Sequence, residues 1–149
     1  MRVTARKTWE SVRDHFQEDA VRPAATKIMI SCVRDIGGAT FDWPPLLIEK
    51  THSVTCYEML SSIWEYFQQR FSDVEIEHME RQYPGIKRMM SDSCHRRCMR
   101  TPGLAEFERR QGLKRIDYLD IRTMFKGLSV SVGLDGTWVL HLHLYGRHN

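Results

Sequence analysis

Apolar and polar positions alternate most regularly near the end of the chain, over residues 128–145, LSVSVGLDGTWVLHLHLY. Leu128, Val130 and Val132 alternate with Ser129 and Ser131, the period-2 pattern of a half-buried strand. Gly133-Leu134-Asp135-Gly136 supplies turn residues, because glycine takes positive φ without strain. The return strand puts Trp138, Leu140, Leu142 and Leu144 on one face and Val139, His141, His143 and Tyr145 on the other. The pattern predicts a β-hairpin, and the segments upstream are expected to pack on its sheet.

Helical spacing dominates elsewhere. Ala5, Trp9, Val12 and Phe16 predict an amphipathic helix over residues 4–17, ended by Arg22-Pro23. Residues 27–33 follow as a strand with Ile28, Ile30 and Cys32 on one face. Asp35-Ile36-Gly37-Gly38 reads as a turn, with residues 39–43 returning as the partner strand until Pro44-Pro45 breaks it. Leu46-Leu47-Ile48 reads as a further strand or an exposed loop; beneath the hairpin is the expected place for it and for Trp43. Thr55-x-x-Glu58 is a capping box opening a helix over residues 55–71, with Cys56, Leu60, Ile63, Trp64, Phe67 and Phe71 as its inward stripe. Ser72-x-x-Glu75 repeats the signal for a helix burying Ile76, Met79 and Tyr83 and stopping at Pro84-Gly85.

Residues 86–100, IKRMMSDSCHRRCMR, show no clean period. Thr101-Pro102 reads as an N-cap and first helical residue, with Leu104 and Phe107 inward until Gly112. Residues 115–125 fit helix and strand equally: Tyr118, Ile121 and Phe125 at one period, Leu119, Ile121, Thr123 and Phe125 at the other. Two hairpin signals frame three amphipathic helices without βαβ alternation. The expected fold is therefore one α+β domain over residues 1–149, a small, mostly antiparallel sheet with helices packed on one side.

Composition narrows the class. A chain of 149 residues, 42% hydrophobic and 28% charged, is long enough for one core and too apolar for disorder. Cys32, Cys56, Cys94 and Cys98 are too few for a disulfide scaffold, so reduced thiols in the cytoplasm are expected. No apolar run resembles a secretory signal or spans a bilayer, so any membrane contact is expected to be peripheral.

Charge is unevenly placed. Residues 51–80 carry one basic and six acidic groups, and residues 81–126 carry twelve basic and five acidic ones. Asp73, Glu75, Glu77 and Glu80 form an acidic helix face. Lys87, Arg88, Arg96, Arg97, Arg100, Arg109, Arg110, Lys114 and Arg115 form the candidate surface for an anionic partner. Guanidinium groups match phosphate geometry, and such a patch suits a lipid surface or nucleic acid. The competing reading is a solvated face that pairs with the acidic helix and supports homo-oligomers.

Two motifs bring sharper chemistry. His141-Leu142-His143 resembles the HUH pair of rolling-circle nucleases and relaxases, whose histidines hold a divalent metal. That family places a nucleophilic tyrosine downstream on a helix; here only Tyr145 follows, on the same strand, and a solvent-facing strand edge explains the pair more simply. Cys94-His95-x-x-Cys98 offers two thiols one helical turn apart, with Cys56, His52 or His78 needed to complete a zinc site. Ordinary buried thiols are the simpler reading. No Gly-rich phosphate loop, no G-x-S-x-G and no acid–base carboxylate pair is present, so neither enzyme activity nor a cofactor is expected.

The order of elements resembles that of rhabdovirus matrix proteins. Residues 27–33, the loop through Trp43-Pro44-Pro45 and the helix of residues 57–71 follow that order, and Phe125-Lys126-Gly127-Leu128 is similar to their F-x-G-L strand. The chain departs in its predicted N-terminal helix and in having Pro44-Pro45-Leu46-Leu47 where the family often carries P-P-x-Y. The resemblance implies a non-enzymatic viral matrix-type assembly protein, self-associating and binding an anionic membrane or nucleocapsid, cytoplasmic and peripheral or in the virion, with no small-molecule substrate. The alternatives are a nucleic-acid-binding regulator or silencing suppressor, with or without zinc, and an HUH-type nuclease.

Overall fold

Alternation along residues 27–31 sets the architecture: Ile28 and Ile30 are buried, whereas Lys27 is exposed and Met29 and Ser31 are half-buried. The computed structural model describes residues 14–32, 34–36, 39–41, 43–100, 104–132 and 138–146, with all their side chains except those of residues 34–36, 39–41, 132 and 138. The strands are β1 (Lys27–Ser31), β2 (Arg34–Ile36), β3 (Ala39–Phe41), β4 (Leu46–Glu49), β5 (Met124–Val132) and β6 (Trp138–Tyr145). The helices are α1 (Cys56–Gln68), α2 (Asp73–Gln82), α3 (Ile86–Met99), α4 (Ala105–Arg110) and α5 (Arg115–Tyr118).

Strand order in the main sheet is β4-β1-β6-β5. β1 runs antiparallel to β4 and parallel to β6, and β5 runs antiparallel to β6. The protein is thus an α+β domain with a mixed sheet, one ladder of which is parallel. The C-terminal strands pair as predicted, with Leu128 opposite Leu142 and Val130 opposite Leu140. Its ladder shifts between Phe125 and Gly127, where Gly127 takes φ +146°, a value that L side chains rarely adopt. The turn at residues 133–136 and the side chain of Trp138 lie outside what is described, as does the predicted N-terminal helix through residue 13.

Two apolar clusters form the core. The first joins Ile28, Ile30, Ile48 and Leu140 of the sheet to Met59, Ile63, Tyr66 and Phe67 of α1. The second joins Phe71, Ile76, Met79, Ile86, Met90 and Tyr118. Trp43 packs against both, with its ring 5.0 Å from Tyr118 and 6.2 Å from Phe67. It therefore sits among the helices rather than beneath the hairpin, and Tyr66 fixes the following loop by donating to the Pro44 carbonyl at 2.8 Å.

Several expectations need correction. Residues 39–41 pair with residues 34–36 in a separate small hairpin, and β4 is the antiparallel partner of β1. The Gly37-Gly38 turn lies outside the described residues. Both capping boxes form, at Thr55/Glu58 and Ser72/Glu75. The buried stripe of α1 is nevertheless Met59, Ile63, Tyr66 and Phe67, whereas Trp64 is 64% exposed. Helix α1 ends at Gln68, so Phe71 enters the second cluster from the connection to α2.

The stretch without a clean period is a helix, α3. Its inward side is Ile86, Met90, Ser93, Cys94 and Cys98, a four-residue repeat disguised by cysteines and a serine. Gly85 starts it at φ +93°, which glycine takes without strain, and the Glu80 carboxylate accepts from the Gly85 and Lys87 N–H groups at 2.8 Å. The Thr101-Pro102 cap lies outside the described residues. Leu104 and Phe107 point outward rather than inward, because α4 turns Ala105 and Glu108 toward α3. Residues 115–125 divide between the two readings: one turn of helix, α5, then the start of β5.

Candidate anionic-surface interface

The nine predicted basic residues fall into three structural groups. The first is internal. Arg97, on the buried side of α3, donates from Nε and Nη2 to the two carboxylate oxygens of Asp117 at 2.8 and 2.9 Å. Its Nη1 donates to Glu108 at 2.8 Å, and Lys114 Nζ reaches the same Glu108 oxygen at 3.3 Å. Asp117 is 1% exposed and also accepts from the Lys114 N–H at 2.9 Å. The pair draws the guanidinium further from deprotonation than an ordinary arginine, the hydrogen bond to Asp117 outweighing the burial that opposes it. Arg115 lies over Tyr66, its guanidinium carbon 4.4 Å from the ring centre. These side chains join α3, α4 and α5 to one another and to α1, and an external anion would have to displace them.

The second group is paired at the surface. Arg96 meets Asp120, and Arg109 and Arg110 meet Glu106. Exposed pairs of this kind are weak and exchange partners readily. The third group, Lys87, Arg88 and Arg100, is exposed and has no ion-pair partner among the described residues.

Sequence reasoning missed what lies beside these arginines. Met99 is 63% exposed, Leu104 54% and Phe107 58%. Met99 ends α3, beside Arg100 in sequence and three residues after Arg96; Leu104 precedes α4, and Phe107 lies in α4 within one turn of Arg109 and Arg110. The available signal was the i, i+3 spacing of Leu104 and Phe107 inside a charged segment, which marks a common face without saying whether that face is buried.

The acidic face is smaller than its residue count. Glu75 caps α2 and Glu80 caps α3, and backbone hydrogen bonds hold both carboxyls below the usual carboxylate range. Asp73 and Glu77 remain as its exposed acidic groups outside the caps.

His141 and His143 share the open face of the sheet, as the spacing predicts. Each ring Nε2 makes a hydrogen bond across the hairpin, His141 with Ser131 at 2.6 Å and His143 with Ser129 at 2.7 Å. Tyr145 lies on the same face further along β6. Cys94 and Cys98 bring their sulfurs to 3.9 Å inside α3, with Arg97 Nη2 3.4 Å from Cys94 Sγ. Burial, reinforced by the Asp117 charge, pushes the Cys94 thiol up to about 11 against the pull of Arg97. His52 is hydrogen-bonded to Glu58 at 3.0 Å, and Cys56 faces the Asp19 carbonyl. Among the described residues no group of three or more His, Cys, Asp or Glu side chains is arranged to hold a metal ion. No helix among them is long and apolar enough to cross a membrane.

The fold and this surface define a small α+β domain knit by an internal arginine cluster, with an outward corner of mixed apolar and cationic side chains. The chain belongs to DUF6699, a family of unknown function, whose family model matches residues 2–136. No curated protein and no solved structure matches it.

Proposed function

We propose that the protein is a non-enzymatic binding protein that docks peripherally on anionic membrane surfaces through the corner between α3 and α4. One observation carries this reading: Met99, Leu104 and Phe107 are exposed next to Arg100, Arg109 and Arg110. Apolar side chains enter the headgroup boundary while the cations meet anionic lipid, each basic group near the surface contributing about 1 kcal/mol. A nucleic-acid groove would call for aromatic stacking platforms, and Phe107 is the one aromatic ring in this corner among the described residues. Matrix-type self-assembly, implied by the order of elements, is the role such docking would serve. Lys87, Arg88 and Arg96 extend the cationic area, and Arg97, Lys114 and Arg115 hold the corner in shape.

Co-sedimentation with vesicles of phosphatidylcholine, with and without phosphatidylserine, tests the reading. Wild type should pellet with the anionic vesicles at low salt and be released at high salt. The double variant Leu104→Glu/Phe107→Glu should lose at least tenfold in binding while keeping the wild-type melting temperature. Failure to bind, or binding indifferent to this variant, would overturn the proposal. Salt-sensitive RNA binding in place of vesicle binding would transfer the surface to nucleic acid.

A further inference from the structure

Among the described residues β5 lies along β6 and has no helix backbone beside it. Among the described residues the inner face of the sheet therefore continues past the helices toward β5. Val130, on the same side as buried Leu140 and Ile30, is 54% exposed, and Leu128 is half-buried. Over this part runs the looped segment 20–25, both ends of which are held by Val54 just before α1: Ala20 N–H donates to the Val54 carbonyl at 2.8 Å and Val54 N–H donates to the Ala25 carbonyl at 2.9 Å. Between the segment and the sheet lies a groove of about 640 Å³.

The chemistry of the groove is uneven. Its floor is apolar, formed by Ile28, Leu140, Leu128 and Val130, and its wall consists mainly of alanines with Val21 and Pro23. Small wall residues leave space among the described residues. Its charged lining residues are Arg22 and Lys27, both cationic and exposed. Lys27 is shared with Glu49 at 3.3 Å, whereas Arg22 has no ion-pair partner among the described residues. The volume falls within the ~300–1,000 Å³ range of small-molecule sites, most of which combine apolar walls with a few orienting polar groups.

We infer that this groove binds a fatty carboxylate. The acyl chain lies on the Ile28, Leu140 and Val130 floor, and the carboxylate meets Arg22 at the mouth. An apolar ligand without charge would leave Arg22 unused, and a polar one would gain nothing from the floor. The site shares no residue with the α3–α4 corner, so it stands or fails independently of vesicle docking.

The experiment is titration of the 149-residue chain with laurate, myristate and palmitate below their aggregation limits, read by displacement of a fluorescent fatty acid. Affinity should rise about fourfold per added methylene until the groove is full. Val130→Trp fills the groove from an exposed strand position and should abolish uptake without lowering the melting temperature. Arg22→Glu should weaken palmitate about tenfold and leave its methyl ester unaffected. Three results would overturn the proposal: no uptake by wild type; uptake indifferent to Val130→Trp; or uptake only in Trp9→Glu, which would mean that the chain's own N-terminal segment occupies the groove.

Discussion

Arg97 and Asp117, twenty residues apart, meet as a two-pronged ion pair with both N–O distances below 3 Å, and Asp117 is sealed from solvent. The pair fixes α5 against α3 at the edge of the second apolar cluster, and Glu108 adds α4 to the same guanidinium. An arginine read from the sequence as a surface cation is thus an interior one. Arg97 lies three residues after Cys94, on the flank of the buried side of α3, and Asp117 of α5 receives its guanidinium there.

Removing one partner should be costly. Asp117→Ala leaves the part-buried Arg97 guanidinium with Glu108 as its remaining carboxylate and the Lys114 N–H without its acceptor, and should destabilise the fold by about 3 kcal/mol. Arg97→Met combined with Asp117→Leu should recover much of that loss, since no charge is then left alone. Urea denaturation of the single and double variants measures both. Equal loss in the two would show that the pair itself, rather than the desolvated charge, supplies the stability.

Stability should fall in acid through the capping boxes. The Thr55 N–H bonded to Glu58 lowers that carboxyl from 4.5 to about 2, and the Ser72 N–H lowers Glu75. A folded pKa below the unfolded one means the contribution is complete above the unfolded value and disappears as pH falls through the folded one. Urea midpoints should therefore decline between pH ~5 and ~2. Glu58→Gln should flatten that slope by bringing the neutral midpoint down toward the acid one, because a neutral amide oxygen accepts from Thr55 more weakly than the carboxylate.

Thiol reactivity should follow burial. Desolvation raises Cys32 to about 12 and Cys94 to about 11, and Cys98 is fully buried. Iodoacetamide reacts with thiolate, so native protein at mildly alkaline pH should be alkylated first at half-buried Cys56. The other three should react only on unfolding, as peptide mass mapping over time would show. Early modification of Cys94 would contradict the closed packing of α3.

The rotation of α1 can be tested directly. Met59→Ala opens the first cluster and should cost about 2–5 kcal/mol. Trp64→Ala, although it removes a larger side chain, acts at an exposed position and should change stability by about 0.5 kcal/mol or less. The opposite ranking in urea would restore the stripe read from the sequence.

The sequence alone determined the elements whose signals are local. Alternation over residues 128–145 specifies a hairpin whatever surrounds it, and the two capping boxes specify helix starts through contacts spanning three residues. The α+β class follows from those elements. What distant residues decide was not legible. Helix α1 carries apolar side chains on more than half its circumference, so the choice of Met59 and Tyr66 over Trp64 fell to where the sheet and Trp43 lie. The pairing of β1 with β4 and β6 depends on crossover connections that leave no mark within five residues of strand. The nine basic residues look alike in sequence, and only the position of Asp117, brought to α3 by the turn at α5, separates Arg97 from Arg100. Burial also explains the groove and the outward corner: a strand or a helical turn shows its apolar side equally whether or not a neighbour covers it, and the neighbours are set by the tertiary fold.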